Sequence, residues 1–189
     1  SLGFASYVFS MYKTTVANTN FIIATETIFL ALFGYLFLKE KIKLVTYISI
    51  FLGMLGVLLI IGSSLSFQTS DEMLGNIVAF IMPISFAVLV IIIRKYPNVD
   101  MVPAQFIAGI FAAIIGLIIA GNLTISLHDL FLALIAGFFQ VGFGFILITI
   151  GSRTTPSAMV GILMLSESVF GPLWAWLFIN ELMPISVLI

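Results

Sequence analysis

The stretch ATETIFLALFGYLFLKEK, residues 24–41, decides how this chain is read. It is apolar enough to lie in lipid, yet it carries Glu26 and closes on Glu40, fourteen residues further on. A second stretch, LSESVFGPLWAWLFINEL at residues 165–182, repeats the arrangement with Glu167 and Glu181, again fourteen apart. An offset of 141 residues carries one pair onto the other without a gap, and with it Gly3 onto Gly144, Phe4 onto Phe145 and Thr14 onto Thr155. In so apolar a chain, leucine and phenylalanine match by chance. Two glutamates in register do not, so the chain is read as internally duplicated.

The composition fixes the solvent. Of 189 residues 62% are hydrophobic and 8% charged, against roughly a quarter charged in a soluble domain, and the mean hydropathy is +1.29. A bilayer core takes about 20 apolar helical residues to cross. Residues 16–38, 44–62, 74–93, 102–120, 130–150 and 157–179 meet that length, with partial spans at 2–12 and 183–189. The chain therefore reads as a fragment cut at both ends. The runs lack the period-two alternation of a membrane barrel, so the expected fold class is an all-α polytopic membrane protein. Without cysteine there is no disulfide or thiolate metal site. No cofactor, nucleic acid or nucleotide is expected, since no basic run and no phosphate-binding loop is present.

Charge sets the orientation. Alternate connections put Lys39, Lys41, Lys43, Arg94, Lys95 and Arg153 on one side, and Lys13 with Asp71, Glu72, His128 and Asp129 on the other. Lysine and arginine favour the cytoplasmic side, so the first group is expected there, in a bacterial inner membrane. The span holding Glu167 lies five crossings after the span holding Glu26, so the two copies run in opposite directions. Inverted repeats are the build of many secondary transporters, with the substrate near the midplane between the repeats.

An ionised carboxylate at mid-bilayer costs on the order of 2.5–3.5 kcal/mol. Glu26 and Glu167 sit equally deep, with no intramembrane lysine or arginine to pair with. They are candidates to face a cavity and to load a proton or bind a substrate ammonium or hydroxyl; the alternative is a structural hydrogen bond between helices. Seven positions beyond each, on the same helical face, stand Phe33 and Trp174, candidate cavity aromatics. Gln140 and Tyr7 are further polar candidates within apolar runs. Pro172 cannot donate to the carbonyl of Ser168, and Gly171 beside it eases a bend. Ala31 holds the matching place in the first copy, so a break of this origin is expected on one side only. Pro83 is a second kink or hinge candidate, while Glu40 and Glu181 end their helices in structural or gating positions. Small residues at 108, 112 and 116, and the pair Gly53 and Val57, are expected to let helices approach closely.

The pattern resembles the EamA repeat of the drug/metabolite transporter superfamily. GILMLSESVFGPLWAWLFINEL at 161–182 looks like its second copy, and NFIIATETIFLALFGYLFLKEKI at 20–42 followed by GMLGVLLI at 53–60 looks like its first. Thr27 and Ser168 stand where that family commonly has a proline after the first glutamate. The resemblance implies a ten-helix bundle of two inverted repeats, here truncated at both ends, with residues 1–70 from the first repeat and 71–189 from the second. It implies a cavity lined by the start of the chain and by the helices bearing Glu26, Pro83, Gln140 and Glu167. It further implies a secondary transporter of small organic metabolites, amino acids or drugs, working outward by alternating access. Protons or a counter-substrate would drive it, and a homodimer is left open. The rival readings are a membrane receptor or scaffold, and an intramembrane enzyme. An enzyme of that kind needs a base or metal cluster at depth, whereas the single histidine, His128, falls in a connection.

Overall fold

A computed structural model of the protein describes residues 2–61, 70–119 and 124–167, together with Phe170 and Leu177. In lipid every backbone polar group has to be satisfied within the chain, and the described residues answer with helices. These are α1 (Leu2–Lys13), α2 (Val16–Ala24), α3 (Glu26–Leu38), α4 (Leu44–Ile61), α5 (Ser70–Ala79) and α6 (Ile81–Lys95). They continue with α7 (Val102–Ile119), α8 (Leu127–Ile135), a π-helical stretch Ala136–Phe143, α9 (Gly144–Ser152) and α10 (Ser157–Leu165). Three runs of helix, Asn18–Leu38, Ser70–Lys95 and Leu127–Ser152, are long and apolar enough to cross a membrane, and Leu44–Leu59 and Val102–Ile118 are shorter apolar helices.

Helix α3 is the hub, packed against α6 on one side and α10 on another. Leu30, Phe86, Ala87, Val90 and Val160 form the buried core of that contact. The α3–α10 crossing is close because Gly161 faces Thr27: a Cβ at Gly161 would stand 2.7 Å from the Thr27 Cα. The Thr27 hydroxyl, fully buried, donates to the Gly161 carbonyl at 3.1 Å. Gly53 likewise admits Leu165 of α10, and Val57 joins Ala24 and Leu165 in a second buried cluster. The expectation for Gly116 does not hold among the described residues, because a Cβ there would meet nothing within 4 Å. Spacing alone put small residues on one face of that helix; no neighbour comes up to Gly116 to use the room.

The duplication is visible in backbone detail. Helices α2 and α10 begin and end at positions related by the 141-residue offset, and each stops two residues before its glutamate. The stop is the same in both. Thr25 and Ser166, equivalent residues, each bond their N–H to the carbonyl three back, Ile22 and Leu163, at 3.1 Å. Their hydroxyls donate to the same two carbonyls, at 2.5 Å and 2.6 Å. This break is two-sided and lies upstream of each glutamate, distinct from the one expected at Pro172 in the second copy. A short hydroxyl side chain returning to its own helix supplies the bend, upstream of the glutamate and without proline. Pro172 and Gly171 lie outside the described residues.

Each end of the bundle is tied by polar contacts. At one end the Arg94 guanidinium meets Glu40 at 2.7 Å, with the two side chains only 19% and 17% exposed. The other oxygen of Glu40 accepts the Ser157 N–H at 2.9 Å, capping the start of α10. Lys39 makes this reach geometrically accessible. It adopts a left-handed conformation, φ 55°, and the N–H of Glu40 returns to the Gly34 carbonyl at 3.1 Å in a Schellman-type stop. Arg94 also reaches the Arg153 carbonyl, and Arg153 pairs with Asp100 at 2.7 Å. Arg94, Arg153 and Glu40 thus gather in one network. At the other end Thr14 and Asn18 both donate to the Asn76 side-chain oxygen, at 2.8 Å and 3.2 Å, and Lys13 pairs with Asp71 at 3.0 Å.

Candidate functional site

A cavity of about 420 Å³ opens where the two copies meet. Its wall includes Phe4 and Tyr7 of α1, Asn20 and Ala24 of α2, Glu26 of α3 and Val57 of α4. Met82 and Phe86 of α6, Gln140 of the π-helical stretch, Phe145 of α9, Leu165 of α10 and Glu167 close it. Both predicted intramembrane glutamates face this one space, together with Gln140 and Tyr7. Glu26 is 6% exposed, while Glu167 is exposed. Among the described residues no lysine, arginine or histidine contributes to the wall.

Each of the long apolar runs is interrupted where it meets the cavity. The run Asn18–Leu38 breaks at Thr25, next to Ala24 and Glu26. The run Ser70–Lys95 breaks at Phe80, just before Met82. Pro83, buried, has no N–H for the Ala79 carbonyl, and the Phe80 N–H closes a tighter turn on Ile77 at 3.3 Å. The run Leu127–Ser152 passes into π geometry over Ala136–Phe143, around Gln140. Such bulges recur at functional sites. Gly142 permits this one, since a Cβ there would stand 3.2 Å from the Gly137 carbonyl oxygen. The fourth interruption is Ser166, between Leu165 and Glu167. Interrupted helices offer backbone dipole ends and unpaired carbonyls to a bound solute.

Other sequence candidates fall elsewhere. Phe33 does not line this cavity; it lies in a separate groove between α3 and α6 with Phe37 and Lys95. Seven residues return to the same face but advance about 10.5 Å along the axis, which carries Phe33 past the cavity. Glu40 is the centre of the Arg94–Ser157 contact rather than a cavity residue. Trp174 and Glu181 lie outside the described residues. The sequence reading passed over Asn20, which its polarity within an apolar run could have flagged. It also passed over Thr25 and Ser166, marked by a hydroxyl residue directly before each glutamate at the repeat offset.

The sequence matches the EamA-like transporter family over residues 1–62 and 73–189. It is 29% identical over 182 residues to a protein of Methanothermobacter thermautotrophicus named an uncharacterized transporter, covering 93% of this chain and 52% of that protein. It is 23% identical over 199 residues to another uncharacterized transporter, from Clostridium kluyveri, covering 100% of this chain and 64% of that one. This chain thus spans about half to two thirds of the length of these curated relatives. A solved crystal structure shares the fold with a TM-score of 0.83 at 14% identity, over 97% of this chain and 66% of the other. Family match and apolar helices together make this an integral, multi-pass membrane protein. The chain belongs to the EamA-like transporter family.

Proposed function

We propose that the protein is a secondary active transporter that moves small organic solutes bearing a protonated amine. The observation carrying this is that Glu26 and Glu167, one from each copy, line the same cavity. Two carboxyl groups with no facing cation suit an ammonium, while Phe4, Phe86 and Phe145 offer ring faces to it. A zwitterionic amino acid would bring a carboxylate that no residue in the described wall neutralises. An anion would fare worse. The half-repeats, residues 1–70 and 71–189, would exchange roles in alternating access, with the interrupted helices as their moving parts.

In this reading the lysine- and arginine-bearing end, with Lys39, Lys41, Lys43, Arg94, Lys95 and Arg153, faces the cytoplasm of a bacterial inner membrane. Transport runs outward, driven by protons or a counter-substrate that compete for the same glutamates. The test is uptake into proteoliposomes containing the full-length protein, with radiolabelled pools of organic amines, zwitterionic amino acids and organic acids. The amine pool should be carried, and the organic acids should not. Flux confined to organic acids would refute the substrate class. No flux from any pool would favour a receptor or scaffold.

A further inference from the structure

The groove that receives Phe33 is a second site, separate from the cavity. It holds about 310 Å³ between α3 and α6. Phe33 and Phe37 wall it on one side, Val88 and Ile92 on the other, and Lys95 and Tyr96 stand at its end. The α3 wall is a ladder of rings, Phe29 to Phe33 at 6.0 Å and Phe33 to Phe37 at 5.7 Å between centroids. Phe37, Val88, Ile92 and Tyr96 are exposed, so among the described residues nothing covers the groove. It is apolar along its length and polar only at the end where α6 finishes.

Charge at that end is unequal. The carboxylates of Glu40 and Asp100 are engaged by Arg94 and Arg153. Lys95 instead lies near the Tyr96 ring, its Nζ 5.9 Å from the centroid, and is exposed. Lys39, Lys41 and Lys43 follow α3 directly after Phe37 and Leu38. An apolar slot running into the membrane from a basic, tyrosine-bearing rim has the polarity of one phospholipid: acyl chain inside, phosphate at the rim.

We propose that this groove binds an anionic phospholipid, its acyl chain against Phe33, Phe37, Val88 and Ile92 and its phosphate at Lys95. A free phosphate would leave the apolar wall unused, and a zwitterionic lipid would bring a second cation toward the lysines. A basic residue at the membrane surface should favour the anionic headgroup by about fivefold.

The test uses the full-length protein in phosphatidylcholine bilayers doped with chain-spin-labelled phosphatidylglycerol or phosphatidylcholine, reading the motionally restricted fraction by electron paramagnetic resonance. Phosphatidylglycerol should be preferred by about fivefold. The preference should fall to near parity in Lys95→Gln, and in Ile92→Trp, which fills the groove without altering charge. It should persist in Lys41→Gln, outside the groove. Equal association of both lipids would overturn the proposal, as it would if a second copy of the chain covered the groove. A preference that survives Lys95→Gln, or falls as far in Lys41→Gln, would also overturn it by assigning the effect to diffuse charge. Lys95 is an exposed rim residue, so that arm remains decisive if Ile92→Trp misfolds.

Discussion

Phe4 and Phe145 hold the same place in the two copies of the repeat, and their rings meet with centroids 5.4 Å apart. A residue touches its own counterpart only near a two-fold axis. Both rings line the cavity, so the relation between the copies passes through the space that Glu26 and Glu167 share. Symmetry thus delivers each glutamate to one site from opposite halves, and predicts paired behaviour at equivalent positions.

The first pair is Thr25 and Ser166. Removing either hydroxyl, by Thr25→Val or Ser166→Ala, withdraws one bond to the preceding turn, worth about 0.5–1.5 kcal/mol net. Transport rates in proteoliposomes should fall by roughly two- to tenfold in each variant, while Thr25→Ser keeps the wild-type rate. Unchanged rates in both would mean that packing alone sets the breaks.

The α3–α10 crossing should be intolerant of volume. Gly161→Leu forces a side chain against Thr27 and should lower stability by about 1–3 kcal/mol, read as the midpoint of thermal unfolding in detergent. Thr27→Ala removes only the 3.1 Å bond and should cost less, about 1 kcal/mol.

Glu40 and Arg94 should be energetically coupled. A double-mutant cycle with Glu40→Gln and Arg94→Gln should give a coupling of about 1–3 kcal/mol, because the pair is mostly buried and the carboxylate also caps Ser157. A coupling near zero would reduce the contact to an ordinary surface pair.

What the sequence could disclose followed from scarcity. Glu26, Glu167, Gln140 and Tyr7 stood out because polar groups in apolar spans need somewhere polar to point, and the fold brings all four to one cavity. Abundant residues carried no such signal. Phe33 shares a face with Glu26, but helical phase says nothing of depth, and it lands in the groove between α3 and α6. No proline marks the breaks before each glutamate; Thr25 and Ser166 bond back to their own helices there, and a lone hydroxyl residue carries little signal in a sequence. The Arg94–Glu40–Ser157 contact joins residues far apart in the chain. Only the packing of α3, α6 and α10 brings them together.

The central claim is that the two glutamates act on one bound solute. It is tested most directly by pH-gradient-driven amine flux in proteoliposomes of the full-length protein, comparing wild type with Glu26→Gln, Glu167→Gln and the double variant. Each single change should remove gradient-driven flux while the protein still inserts, and the double change should be no worse than either alone. Gradient-driven flux that persists at the wild-type rate in both single variants would contradict the claim.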